Sequence, residues 1–188
     1  MLFLALMLAG SAAAETVATF TLDSLSFVSF GDSEYVYLPA GSTLEFRFGT
    51  PEPDGTTSFT IQPSGVAIQD VSLPTGGVLR YSMASPASGV MQSTPEGRKV
   101  TFSATVRATL DTGSPGDGSY DYTIPFTTET TAASNLAGTE TLTTFGMRLV
   151  DGVWYGQIVG ATTNKENAFP EPGAAVYTVL SGSFDQVP

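Results

Sequence analysis

The strongest constraint on the fold is an unbroken alternation of apolar and polar residues from Val100 to Leu110. One side of this segment is apolar: Val100, Phe102, Ala104, Val106, Ala108 and Leu110. Side chains of a β-strand point alternately to two faces, whereas the apolar residues of an amphipathic helix recur every three or four positions. The segment therefore predicts a long strand with one buried face.

The same pattern recurs along the chain, as in Leu44–Phe48 and Tyr120–Phe126, and a further apolar segment, Ala18–Phe30, predicts another strand. Turn-forming residues separate the segments, for example Pro53-Asp54-Gly55 and Pro115-Gly116-Asp117-Gly118. The pattern predicts an all-β fold, an antiparallel two-sheet β-sandwich of about ten strands, with a closed antiparallel β-barrel as the alternative. We expect residues 15–188 to form a single domain.

Asp151-Gly152 predicts a tight hairpin turn. A type I′ turn needs positive φ at both central positions, which Asp-Gly tolerates well. Counting outward from the turn gives four cross-strand pairs: Val150–Val153, Leu149–Trp154, Arg148–Tyr155 and Met147–Gly156. Phe145, Met147, Leu149, Trp154 and Ile158 then share a face that we expect to be buried. On the other face, we expect the Arg148 guanidinium to lie across the ring of Tyr155.

The N-terminus resembles a signal peptide over residues 1–14. Leu2–Gly10 is apolar and uncharged, and small residues at Ala12 and Ala14 fit a cleavage site before Glu15. The apolar run is too short to span a bilayer, which takes about 20 residues. No basic residue precedes Leu2. We expect an exported protein, extracellular or periplasmic.

The composition excludes several classes of function. With no histidine and no cysteine, the chain has no catalytic triad based on histidine, no thiol nucleophile and no disulfide. The net charge of −11 argues against nucleic acids and anionic lipids as partners. The threonine-rich polar faces of the strands are too polar for a membrane-embedded protein.

Leu110-Asp111-Thr112-Gly113-Ser114 resembles the catalytic motif of the aspartic proteases, and Ile158-Val159-Gly160 resembles the segment that packs behind it. The resemblance implies a homodimer, because the chemistry needs two carboxylates and the chain has one motif. It covers about eight residues and ends at Pro115. We expect Asp-Thr-Gly at this strand end to form a turn instead.

The same loop carries three aspartates: Asp111, Asp117 and Asp121. Carboxylate oxygens are the ligands that calcium prefers, although the spacing matches no EF-hand. The loop is a candidate for calcium binding, and solvated aspartates in a long hairpin are the favoured interpretation.

Two pairs of tyrosines, Tyr35 with Tyr37 and Tyr120 with Tyr122, each share a strand face. Exposed tyrosines on a sheet can stack against the apolar C–H faces of sugar rings, whereas packing in the core or at its rim is the commoner role. We therefore expect most of them to pack, and a carbohydrate ligand is kept as one alternative.

The sequence predicts a non-catalytic protein that acts in binding or assembly, such as a surface, matrix or adhesion component of a microbial cell. The alternatives are, second, a soluble β-barrel that carries an apolar small molecule and, third, a dimeric aspartic peptidase. The candidate partners are a protein or a carbohydrate, with homo-oligomers also open. No cofactor is expected, and calcium is kept only as an alternative.

Overall fold

The computed structural model describes residues 15–31, 35–74, 76–135 and 138–188. The expected signal segment, residues 1–14, lies outside the described residues. Within the described part, no helix is long and apolar enough to cross a membrane.

The described residues form sixteen β-strands and one 3-10 helix, Pro63–Gly65. In chain order the strands are β1 (Thr16–Leu22), β2 (Phe27–Phe30), β3 (Val36–Tyr37), β4 (Thr43–Phe48), β5 (Thr56–Ile61), β6 (Val66–Ala67), β7 (Val71–Ser72), β8 (Val78–Met83), β9 (Ala87–Thr94), β10 (Gly97–Asp111), β11 (Gly118–Thr127), β12 (Thr131–Asn135), β13 (Gly138–Leu142), β14 (Met147–Val150), β15 (Val153–Thr163) and β16 (Ala175–Phe184).

All pairings between these strands are antiparallel, and they form a closed circuit. The circuit runs β10–β9–β5–β4–β1–β16–β15–β11 and returns to β10. Strands β12 and β13 form a separate two-stranded sheet. The predicted all-β antiparallel fold is confirmed, and the circuit is compatible with both the sandwich and the barrel.

Strand β10 contains the alternating segment. Its apolar positions from Val100 to Ala108 are buried, and Leu110 is half-buried. The intervening polar side chains face outward, where Arg107 pairs with Asp121 on β11 through two 2.7 Å hydrogen bonds. The prediction for this segment is confirmed.

Phenylalanine rings fill the core inside the circuit. They come from six strands and contact one another: Phe20, Phe46, Phe48, Phe59, Phe102, Phe126 and Phe184. Phe46 is central, with ring centroids 5.0 Å from both Phe59 and Phe184. Aromatic pairs in tilted and edge-to-face geometries add to the stabilisation from burial.

Strand β16 is buried on both faces along nearly its whole length. Its inner face contributes Val176, Leu180 and Phe184 to the main core. Its outer face carries Tyr177, which packs with Ala133 of β12 in a smaller cluster. The β12–β13 hairpin therefore covers the end of the outer face of β16 that carries Ala175 and Tyr177. The rest of that face lies outside this cluster.

The hairpin between β14 and β15 has the predicted register, from Val150 opposite Val153 to Met147 opposite Gly156. Asp151 has φ 50° and Gly152 has φ 83°. Both values are positive, as a type I′ turn requires.

The predicted faces of this hairpin are partly wrong. Met147 is buried as expected, but Phe145 and Leu149 are exposed. Gly146 has φ 72°, a left-handed conformation that breaks the strand alternation, so Phe145 stacks on Tyr155 with ring centroids 6.1 Å apart. The cation–π contact of this region joins Arg98 to the ring of Trp154, at 5.0 Å.

Candidate functional site

Three aromatic side chains form a surface cluster beside β16. Tyr35 and Tyr37 are 61% and 58% exposed. Both rings contact Phe27 on the neighbouring strand, at centroid distances of 4.7 Å for Tyr35 and 6.1 Å for Tyr37. Phe27, Tyr35 and Tyr37 are called the aromatic patch below. Because Phe27 is half-buried beneath them, the two tyrosines are supported while much of each ring remains open to solvent.

A hydrogen-bond network centred on Asp23 lies on the same side of β16. The Asp23 carboxylate accepts hydrogen bonds from Tyr155 Oη at 2.7 Å, Ser181 Oγ at 2.9 Å and the backbone N–H of Leu25 at 2.8 Å. The hydrogen bond with Ser181 lowers the pKa of Tyr155, but the bond to Asp23, partial burial and the Asp23 charge raise it more, so the net pKa lies above the usual value. The phenol therefore stays protonated as a donor.

The pairing register places the network and the aromatic patch on one face. Tyr155 is opposite Ser183, and Phe27 is opposite Val179, on the two sides of β16. Directly opposed residues point to the same face, as do residues two apart on one strand. The patch, Asp23 and Tyr155 thus form one outer surface, extended by Phe145, which stacks on Tyr155.

A second apolar surface lies at the end of the β14–β15 hairpin. Leu149, Val150 and Val153 are exposed there, and so is Phe145 at the base of β14. These four residues are called the hairpin tip below. Beside them is a surface groove of about 350 Å³. Its lining includes Arg98, Lys99 and Arg148, three of the seven Lys and Arg residues in the chain.

The three aspartates of the β10–β11 loop have separate partners. Asp117 accepts hydrogen bonds from Thr112 and from the backbone of the loop. Asp121 is paired with Arg107, which lowers its pKa. Asp111 is exposed at the end of β10, 3.8 Å from Arg80 Nη1. Among the described residues, no group of three or more acidic side chains is arranged to hold a metal ion. Calcium binding at Asp111, Asp117 and Asp121 stays a prediction.

The structure does not bring together the two segments that resemble aspartic proteases. Gly160 is opposite Phe126, and Phe126 is opposite Phe102. Phe102 and Asp111 are separated by about 30 Å of strand β10. The Ile158–Gly160 segment therefore does not pack behind the Asp111 loop.

The interior of the circuit holds a cavity of about 20 Å³, lined by apolar residues such as Leu44, Phe102 and Leu180. Pockets for small molecules measure about 300–1,000 Å³. The phenylalanine core fills the space that a carried ligand would need, so the interior volume does not favour the apolar carrier.

Sequence reasoning found Tyr35 and Tyr37 but missed Phe27, Asp23 and Tyr155. Asp23-Ser24 are turn-forming residues, and they divide the predicted strand Ala18–Phe30 into β1 and β2. Recognising that turn would have placed Phe27 on a new strand. No local signal connects Asp23 to Tyr155, because β16 brings them together from distant parts of the chain.

Of the other predicted tyrosine pair, Tyr122 is buried and Tyr120 is half-buried. The ring of Tyr120 packs against Phe169 at 5.7 Å, and the hydroxyl of Tyr122 donates to the carbonyl of Phe169. This pair packs at the rim of the core, and Tyr35 with Tyr37 is the pair that faces solvent. Comparison with protein families, curated proteins and solved structures gives no match for this chain.

Proposed function

We propose that this chain is an exported, non-catalytic β-protein that acts by binding and assembly, as a component of a microbial cell surface or matrix. Self-association through the hairpin tip is the assembly step. The observation that carries the proposal is the concentration of large exposed apolar side chains in this one hairpin. Val150 and Val153 are directly paired across the hairpin, and exposed apolar side chains concentrated in one region commonly mark an interaction site.

The charge distribution favours a second copy as the partner of the hairpin tip. The chain has a net charge of −11, yet Arg98, Lys99 and Arg148 line the groove beside the tip. Lys99 is paired with Glu129 at 2.8 Å, and Arg148 is exposed. The same lining contains Glu96 and Glu129, so the groove has a small excess of positive charge. This excess is attracted to the acidic remainder of another copy, and opposite potentials favour such a contact.

Sedimentation velocity over a range of protein concentrations tests the assembly step. We expect the wild-type protein to self-associate, and the double substitution Val150→Thr with Val153→Thr to weaken association about tenfold, which corresponds to about 1.4 kcal/mol of lost apolar contact. Threonine has nearly the shape of valine and the same preference for strands, so the fold should be retained.

Val90→Thr is the matched control. Val90 is 43% exposed on β9, away from the hairpin tip, and Val153 is 45% exposed. The control should associate like the wild type. A wild-type protein that stays monomeric at every concentration, or equal effects of both substitutions, would contradict assembly through the tip.

A further inference from the structure

We propose that the outer surface around β16 binds an uncharged polysaccharide, with Tyr35 and Tyr37 as the stacking platform and Asp23 with Tyr155 as the polar contacts. The proposal rests on the proposed function and names the ligand class for its binding part, and its contacts do not include Leu149, Val150 or Val153 of the hairpin tip.

The geometry of the aromatic patch suits sugar rings. The C–H groups on one face of a pyranose form a flat apolar surface, which packs against an aromatic ring. Phe27 lies 4.7 Å from Tyr35 and 6.1 Å from Tyr37, measured between ring centroids. Both rings are therefore supported before any ligand arrives, and tyrosine offers a large contact area with few rotatable bonds.

The Asp23 network supplies a fixed polar contact on the same face. A carboxylate has about four acceptor positions, and the donors from Tyr155, Ser181 and Leu25 use three of them. Asp23 is partly exposed, so the remaining position can accept a hydrogen bond from a sugar hydroxyl. Its orientation is set by the network, which reduces the entropy cost of binding.

The length of the surface indicates a chain of sugars. Ser183 and Val179 fix the positions of Tyr155 and Phe27 along β16. With standard strand rise and spacing, these two residues are about 16 Å apart. A single sugar ring covers only part of that distance, so several consecutive sugars can contact the patch and the Asp23 network together.

The charge of the protein selects an uncharged ligand. Asp23 is acidic, the other named contacts are neutral, and the whole chain carries −11. An anionic polysaccharide would be repelled over a Debye length of about 8 Å at physiological salt. Neutral polysaccharides carry hydroxyl groups for Asp23 and apolar ring faces for the tyrosines without this repulsion.

Binding to insoluble cellulose, insoluble chitin and the soluble β-glucan laminarin tests the proposal, with polygalacturonate as the anionic counterpart. Binding to the insoluble polymers is measured by depletion of the protein from solution, and binding to the soluble polymers by calorimetry. We expect binding to at least one neutral polymer and none to polygalacturonate. Tyr37→Ala should weaken that binding about tenfold, the loss expected for one well-packed aromatic contact.

Tyr37→Trp, which retains a stacking surface, should bind within about twofold of the wild type. The double variant V150T/V153T should bind like the wild type, since neither valine is among the proposed sugar contacts. Failure of self-association and failure of sugar binding are then distinguishable. Tyr35 and Tyr37 are exposed, so their variants should melt like the wild type, which circular dichroism verifies.

Three results would overturn the proposal. The first is no binding to any of the neutral polymers, and the second is equal binding by wild type and Tyr37→Ala. The third is a protein ligand that competes for the tyrosines while the polysaccharides do not bind.

Discussion

At the scale of single residues, Asp117 organises the turn between β10 and β11. Its carboxylate accepts hydrogen bonds from the hydroxyl and the backbone N–H of Thr112, at 2.7 and 2.8 Å, and from Gly113 N at 2.7 Å. These bonds, with the Thr112 hydroxyl first and a further contact from Ser114, hold the pKa of Asp117 below its usual value. The charged form is therefore the one that fits the folded loop.

We expect Asp117→Asn to lower the melting temperature at pH 7 and to have little effect in acid. The folded-state pKa is lowered, so the stabilisation is complete above the ordinary pKa of an aspartate carboxyl. It is lost as the pH falls through the lower folded-state pKa. Thermal unfolding of both proteins between pH 7 and pH 2 measures the difference in melting temperature. A difference that stays constant down to pH 2 would exclude a role for the negative charge of Asp117.

Melting temperatures measured with and without added calcium test whether this loop binds the metal. Asp111→Asn is the informative variant, because Asp111 is exposed and has only a 3.8 Å contact to Arg80. A calcium-dependent rise in melting temperature that is lost in this variant would establish a site. We expect equal melting temperatures with and without calcium.

At the scale of elements, the β14–β15 hairpin depends on backbone conformation at its turn. Gly152 has φ 83° and open space around the position of a Cβ atom. A Cβ atom there meets no neighbour within 4 Å, so the main cost of substitution comes from the conformation itself. A substitution at Gly152 therefore tests the backbone conformation of the turn.

Gly152→Val should destabilise the protein by about 1–3 kcal/mol, because a β-branched residue resists positive φ. Urea denaturation measures the change in the free energy of unfolding. Gly116→Ala is the control, since Gly116 also has open space but lacks a left-handed φ, and it should be close to neutral. Equal effects at both glycines would contradict the turn assignment.

The hairpin also shows how far the sequence predicts the structure. Its register follows from Asp151-Gly152 alone, since turn geometry fixes cross-strand pairs. The burial of its faces depends on neighbours that no local pattern specifies. Leu149 lies opposite Trp154, and Trp154 lies opposite Phe184 at the end of β16. Leu149 is therefore level with the last residue of β16, and the hairpin extends beyond the end of that strand.

In the candidate surface, too, local features are predictable from the sequence and contacts between distant residues are not. Tyr35 and Tyr37 are visible in the sequence as an alternating pair that shares a face, but the sequence favours packing for such tyrosines and does not predict that both are exposed. The contact between Asp23 and Tyr155 joins residues far apart in the chain. It depends on the position of β16 between β15 and β2, which is a property of the assembled sheet.

At the scale of the whole molecule, charge opposes compactness. Eighteen acidic and seven basic residues give −11. Most of the ion pairs lie on the surface, such as Arg80 with Asp70 at 3.0 Å, and exposed pairs contribute little. The excess negative charge therefore repels itself in the folded state more than in the expanded unfolded chain.

We expect added sodium chloride to raise the melting temperature at pH 7 by about 2–4 °C, equivalent to about 1 kcal/mol for a protein of this size. Calorimetry at low protein concentration, where self-association is minimal, provides the measurement. Tetramethylammonium chloride is the control for specific sodium binding and should act alike. A flat or falling melting temperature would show that repulsion between carboxylates does not limit stability.

The closed circuit of strand pairing has a consequence for the order of folding. Strand β1 pairs with β16 near the other end of the chain, as in Phe20 opposite Phe184. A chain emerging from the ribosome therefore exposes the β16-facing edges of β1, β2 and β15 until β16 has been made. Such contacts between distant residues give a high contact order, which slows folding. Closure of the circuit therefore waits for synthesis of β16, and β1, β2 and β15 stay incompletely paired until then.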